Sequence, residues 1–582
     1  MILVSSTLAT LGAILWAGLK MPLGVKGEWE AEYALNPQWL RAWWPLILLG
    51  AILWLIWWGV KRCENWRRRS ERIFLCFFFV VVFLFYLGTA VLGEFGAAEI
   101  PAAVMWYRAM GDYFDEAREI GSLGNLPAYL RNFPERTLRW TSRVSTHPPA
   151  TTVLFLTFQR AFARSPSLTK GAEDLAAVLP KGEAIFAGVE DKAKRAESAS
   201  GFILGLLLIL LASASAIPAY LLAKEILSPK AAVLALGFSA TIPSMHLFSP
   251  GIDQTFPLYG LLLSLFILRA LRRKSRGYAF IFGLTFYVAL SFTLAFLALL
   301  IFFFIAVVFL SLKNVGRGTW DVRRATWDAG CLFIFALLGF FVPILILWIA
   351  LGYNSLAGFY APFHADRLFY AKWVARSYWK WLGMNPVMFV LFLGVPAAVL
   401  WLSGAFKDIV GFISSLVRRS GRSDQRILAL TFFLVMILLI VSGRNLGEVE
   451  RLWAFLMPLA ILAGLCHWPL RTLRNPSGSE GQDSERARQP GSQTAREPES
   501  FSRRAGSSPT QPTEVRPGQV GLRDEPDYGG KRTAIGGRLT IGGFGTGTWF
   551  YLIFLQGLQV ISFRLLLDVW ATAQYYRDLM SL

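Results

Sequence analysis

The chain has little from which to build metal or disulfide chemistry. Its 582 residues include four cysteines and four histidines. The cysteines stand at 63, 76, 331 and 466, and their spacing suggests neither a metal site nor a disulfide framework. Acidic residues are also scarce, 38 Asp and Glu against 58 Lys and Arg, for a net charge of +20. The basic excess lies in short clusters between apolar runs: KRCENWRRRSER (61–72), LRRKSRG (271–277), KNVGRGTWDVRR (313–324) and VRRSGRSDQR (417–426). No aromatic-basic reading surface accompanies them, which argues against nucleic acid as a partner. Cytoplasmic loops of membrane proteins carry this kind of excess. The opening MILVSSTLATLGAILWAGLK lacks a basic n-region, so it reads as a first membrane helix and not as a cleaved signal. No internal repeat of the transporter kind is visible. Charge is nearly missing from the interiors of the apolar segments between 73 and 466. An ion-coupled transporter usually keeps ionisable side chains at mid-membrane for its relay. The chemistry is therefore expected at a surface, at the outer mouth of a helix bundle.

What is present is apolar length. Hydrophobic residues make up 55% of the chain and the mean hydropathy is +0.47. Runs such as IFLCFFFVVVFLFYLGTAVL (73–92) hold no charge over the roughly 20 residues that a bilayer core requires. The expected fold is all-α, a polytopic membrane protein with about 13 spans near 2–19, 43–60, 73–92, 201–223, 231–248, 255–270, 277–291, 292–311, 331–350, 386–403, 427–442, 452–466 and 548–566. With the basic clusters inside, four segments lie outside: 93–200, 249–254, 352–385 and 442–453. Four regions follow: extra membrane helices over 1–72, a core over 73–466, an insertion over 470–546, and a last helix with its tail over 547–582. The insertion is rich in Ser, Gly, Pro, Arg, Glu and Gln and cannot bury enough apolar surface to order itself. It is expected to be a disordered cytoplasmic linker.

The first outer loop is too long for a plain connector. Within it, DYFDEAREI (112–120) has helical character and sets Asp112, Asp115, Glu116 and Glu119 on one face. Such a row fits a solvated helix face. It also fits a general base, since a carboxylate held near a hydroxyl can take its proton. Farther on stands RVSTHPPATT (143–152). Pro148 pushes His147 to extended geometry, and Pro149 suits a first helical turn. The run ATTVLFLTFQRAFARS after it is short for a span and fits a helix lying in the outer interface. The elbow would hold Arg143 and His147 near the lipid boundary.

The carboxylates after a membrane helix, the T-H-P-P elbow and the short interfacial helix together resemble the GT-C superfamily of membrane glycosyltransferases. The nearest types are the protein mannosyltransferases, the aminoarabinose transferases and bacterial membrane proteins with a THPPG-like motif. The resemblance covers roughly 73–466. Ala150 stands where the motif usually has Gly, and the acids lie about 20 positions past the helix end. The resemblance implies a GT-C-like core and transfer of a sugar from a polyprenyl-phosphate carrier to an acceptor hydroxyl on the outer face. The acceptor is a lipid, a polysaccharide or a protein. The resemblance also makes Asp112 the best match for the base, with Asp115 second, and puts Asp253 of SPGIDQTF at the sugar site; Glu116 of the first loop is a further substrate-binding candidate.

A lipid-phosphate donor needs an apolar groove and interfacial cations, and arginine's planar fork suits phosphate. The outer candidates are Arg143, His147, Lys372 and Arg376, together with Arg444, Glu448 and Arg451 of GRNLGEVERLW. Headgroup anchoring and a helix-start ion pair between Glu448 and Arg451 fit the same residues. Phosphate is a good leaving group, so the reaction needs no strong general acid; no cofactor is expected to be required, and a divalent metal could assist, but no ligand spacing calls for one. The rival readings are a lipid or polyprenyl-phosphate flippase and a non-catalytic membrane scaffold.

Overall fold

The computed structural model describes residues 2–30, 32–33, 39–139, 144–315, 322–373, 376–418, 424–467, 540–541 and 544–568. Contacts divide the chain into two units, 1–470 with 541–582, and 471–540. The expected insertion falls almost wholly outside the described residues. The first unit is helical nearly throughout, and the all-α expectation holds for it.

The chain opens with α1 (Ile2–Gly18) and a small antiparallel hairpin, β1 (Gly24–Val25) with β2 (Trp29–Glu30). The apolar helices α2 (Trp43–Arg62) and α3 (Arg68–Ala90) follow. The first outer loop is itself folded into α4 (Glu99–Met105), α5 (Arg108–Ile120), α6 (Leu126–Arg139), α7 (Ala150–Arg164) and α8 (Pro166–Ala177). Asp191, whose carboxylate accepts from the Ala193 N–H, caps α9 (Lys192–Ala214), and the chain continues into α10 (Ala216–Ile226). Next come α11 (Pro229–Ala240), α12 (Pro243–Leu247), α13 (Phe256–Arg273), α14 (Arg276–Phe292), α15 (Leu297–Val315) and α16 (Val322–Leu351). The second half holds α17 (Ser355–Trp373), α18 (Tyr378–Leu393), α19 (Val395–Arg418), α20 (Asp424–Val441), α21 (Val449–Leu452) and α22 (Met457–Leu465). Beyond the insertion, α23 (Thr546–Leu566) packs on α1, α2, α12 and α19.

Six helices among the described residues are long and apolar enough to cross a membrane: Leu40–Asn65, Arg68–Ala90, Lys192–Ile226, Ile252–Arg273, Ala329–Leu351 and Gly547–Leu566. The number is seven if the bent pair 378–407 is one span. The expected count of about 13 therefore narrows by length, although shorter apolar helices occupy the other expected segments. The 386–403 segment is not one helix. Gly394, at φ +100°, breaks it between α18 and α19 with a bend of 118°. In an apolar medium the freed backbone groups need partners, and α23 supplies them. Gln559 accepts from the Val395 N–H at 3.0 Å and donates to the Leu391 carbonyl at 2.9 Å. Gln556 donates to the carbonyls of Phe238 and Leu393.

Close packing elsewhere rests on small residues. A Cβ on Gly283 of α14 would meet the Ala336 carbonyl at 1.9 Å, and one on Gly339 of α16 would meet the Phe280 carbonyl at 2.0 Å. Two basic clusters gather at one end of the unit, where Glu225 accepts from Arg269 and Arg273, Lys224 pairs with Glu71, and Lys230 pairs with Glu64. Helix α13 runs from Asp253 to that end. The segments 249–254, 352–373 and 442–453 meet at the opposite end of α13, around a cavity.

Candidate functional site

The 442–453 loop owes its course to α18 and the turn before it. The Asn385 side chain donates to the Asn445 carbonyl at 2.7 Å and accepts from the Gly447 N–H at 3.1 Å. Tyr378 donates its hydroxyl to the Val441 carbonyl at 2.7 Å. Arg376 donates to the Leu446 carbonyl and lies over the Trp381 ring at 5.4 Å. Gly447, at φ +85°, leaves room for both, since a Cβ there would meet Arg376 at 2.6 Å and Trp381 at 2.8 Å. The loop then turns through Glu448 in the left-handed region, φ +58°, a position that disfavours side chains. That turn aims the Glu448 carboxylate between two arginines.

The resulting chain of charge is largely buried. Arg376 donates to Glu448 Oε1 at 2.8 Å, and Arg451 donates to Glu448 Oε2 at 2.6 Å and to Asp253 Oδ2 at 2.7 Å. These four residues, predicted from three separate segments, form one network. Burial opposes charge on the Arg451 guanidinium, but Asp253 and Glu448 more than offset it, and its pKa is pushed up. Beside this network Glu450 is buried, and its Oε2 has no hydrogen-bond partner. Desolvation, with the Glu448 charge adding to it, pushes the Glu450 carboxyl up to about 8.

Arg444 and Arg451 open onto a cavity of about 820 Å³, within the usual size of a small-ligand site. Its apolar lining includes Leu294, Ala298 and Ile301 of the α14–α15 break and α15, and Leu438 and Leu439 of α20. Its polar lining includes Thr146 and His147 from the elbow, and Asp366 and Arg367 from α17, which also contributes Phe363 and Phe369. Arg444 pairs with Asp366 at 3.4 Å and lies over the Phe363 ring at 4.4 Å. The His147 Nδ1 is 2.9 Å from the Thr146 hydroxyl, and its ring meets Tyr113 edge-on at 6.0 Å.

The structure thus brings His147, Arg444, Glu448 and Arg451 to the cavity wall, with Asp253 and Arg376 bonded behind it. The acidic row on α5 separates from them. Asp115 is exposed and pairs with Arg118, which also holds Glu197. Glu116 is buried and bonded to Arg136, which also takes Glu119. Desolvation raises the pKa of both Asp115 and Glu116. Asp112 is half-buried, next to Tyr113, and does not line the cavity. Arg143 lies outside the described residues, as does the side chain of Lys372. The elbow helix α7 packs on α5 and α9, burying Phe155, Leu156 and Phe162.

Asp366 and Arg367 went unread in HADRLFYAKW. The signal for them is an Asp-Arg pair on a helix-forming stretch inside the 352–385 segment. No group of three or more His, Cys, Asp or Glu among the described residues could hold a metal ion. Asp253 and Glu448 both have arginine as partner. No known protein-family model matches the chain, and no curated protein matches it.

Proposed function

We propose that this chain is a membrane glycosyltransferase of GT-C type, moving a sugar from a polyprenyl-phosphate carrier to an acceptor hydroxyl on the extracytoplasmic face. The observation that carries the reading is the cavity's mixed lining, in which apolar residues of α15 and α20 and arginines from two other segments share one space. An isoprenoid tail suits the apolar residues and a phosphate the arginines. Arg367 has no ion pair among the described residues, and Arg444 holds Asp366 only at 3.4 Å. Both can therefore turn to a phosphate at little cost. Arg451 is committed to Asp253 and Glu448 and sets the floor of the site. Departure of the phosphate then needs charge stabilisation from these groups and one base for the acceptor. The resemblance gives that base to Asp112 or Asp115.

The test is native mass spectrometry of gently purified protein with added polyprenyl phosphate. A bound carrier is expected, and Arg367→Ala and Arg444→Ala should each weaken it about 10- to 100-fold, the range for a charge-assisted bond. Binding of ordinary phospholipid alone would remove the reading. Carrier movement across liposomes with no sugar transferred would favour the flippase.

A further inference from the structure

One carboxylate outside the cavity gathers donors from the segment that supports it. Glu28 closes the turn between β1 and β2, where Gly27 at φ +79° lets the chain reverse and the Glu28 N–H donates to the Val25 carbonyl at 3.0 Å. Its Oε2 accepts from the Ser377 N–H at 2.9 Å and from the Trp381 indole at 2.8 Å. Its Oε1 accepts from the Ser377 hydroxyl at 2.7 Å and faces the Lys380 ammonium at 3.5 Å. Ser377 precedes α18, and its hydroxyl, given to Glu28, makes no cap bond within that helix. The hairpin therefore caps α18 from outside, with negative charge at the positive end of the helix. Trp381 passes this constraint to the site. Its side chain is fully buried, the Arg376 guanidinium lies 5.4 Å from its ring, and Gly447 has no room for a Cβ against either. Arg376 in turn donates to the Leu446 carbonyl and to Glu448, which takes Arg451 on its other oxygen. Arg444 and Arg451, on either side of these contacts, line the cavity. Loss of the Glu28 acceptor would leave a buried indole N–H unpaired, and the ring that backs Arg376 would lose its anchor.

We infer that Glu28 is a positioning residue for the cavity: by fixing the start of α18 and the Trp381 ring, it holds Arg376 and the 444–451 loop, and so the arginines that meet the ligand's phosphate. The identity of that ligand rests on the transfer reading above. The N-terminal hairpin then belongs to the site and is not an accessory of the membrane helices that precede the core.

The experiment uses the full chain in lipid nanodiscs and follows its affinity for sugar-free polyprenyl phosphate, hydrogen exchange over 442–453, and the melting temperature. Glu28→Gln keeps the shape but leaves the donors of Ser377, Trp381 and Lys380 a single acceptor oxygen. It should weaken carrier binding about 3- to 30-fold, the range for coupling through a packed network, and speed exchange over 442–453. Trp381→Phe should do the same, and the double variant should cost little more than the larger single effect, since both changes break the same bond. Gln559→Leu, which loosens the other end of α18, is the control for stability and should keep carrier affinity within about twofold. Binding by Glu28→Gln within about twofold of the unaltered chain would overturn the inference and leave the transfer reading standing. So would effects of Glu28→Gln and Trp381→Phe that multiply, or an equal loss of affinity in Gln559→Leu for the same drop in melting. If the unaltered chain does not bind the carrier, the transfer reading falls and exchange alone decides. Faster exchange over 442–453 in Glu28→Gln then sustains the positioning role, and unchanged exchange overturns it.

Discussion

A buried carboxyl with an unpartnered oxygen lies beside the proposed site, and its protonation couples the site's stability to pH. Glu450 titrates near its ordinary 4.5 when unfolded and at about 8 in the fold. Between those values the folded state holds a proton that the unfolded state has lost. Stability from this group is therefore complete below about pH 4.5 and declines as pH rises toward 8. Glu450→Gln keeps the shape and removes the titration. Thermal unfolding in detergent should show a flatter pH profile from 5 to 8 for the variant, and an unchanged slope would mean that water or a counter-charge reaches Glu450. Glu28 in the β1–β2 hairpin shows the opposite sign. It accepts from the Ser377 N–H and hydroxyl and from the Trp381 indole, and these bonds hold its carboxyl down at about 2. Its contribution is present at neutral pH and is lost as pH falls from about 4.5 toward 2. Arg376, Glu448 and Arg451 are legible in the sequence because they are charged residues in segments that the basic clusters put on the other side of the apolar spans. The sequence does not join Glu28 or Asp366 to their partners, which are hundreds or tens of residues away.

Apolar length is a local property, and that is why the helices were legible. Each of the expected segments meets an apolar helix, from α1 to α23. The break at Gly394 was written locally too, as Gly-Val-Pro, but its consequence depends on another helix. The Val395 N–H is free only because the chain bends, and Gln559 accepts from it while donating to the Leu391 carbonyl, which also takes the Gly394 N–H. Replacing Gln559 with Leu would leave the buried Val395 N–H unpaired, at a cost of about 1–3 kcal/mol. Gly394→Ala meets a different obstacle, φ +100° with the Gln556 side chain 2.6 Å from the new Cβ. Both variants should lower the melting temperature of purified protein. If Gln559→Leu melts like the parent, the bend is not held by α23.

At the scale of the whole molecule, the loops expected on the outer face converge because the helices return the chain to the same end. The segments carrying Asp253, Arg376 and Glu448 are far apart in sequence, and the network joins them within hydrogen-bonding distance. The last helix joins this end as well. Arg564 of α23 donates to Glu99 at 2.6 Å and to the carbonyls of Thr89 and Ala90, so a helix encoded after the insertion caps α3 and fixes α4. No local pattern foretold that pair, since an arginine near the end of a span reads as an anchor. Its presence separates two views of the 471–540 unit. If that unit is a linker, α23 docks by its own contacts. Replacing 471–540 with a short Gly/Ser linker should then leave carrier binding and the melting temperature close to those of the parent. Deleting α23 along with the insertion should destabilise the chain, because Glu99 would be left buried without its guanidinium, a loss of about 3–5 kcal/mol for a broken buried pair. Loss of carrier binding on removing the insertion alone, with melting unchanged, would move the function to that unit and revive the scaffold reading.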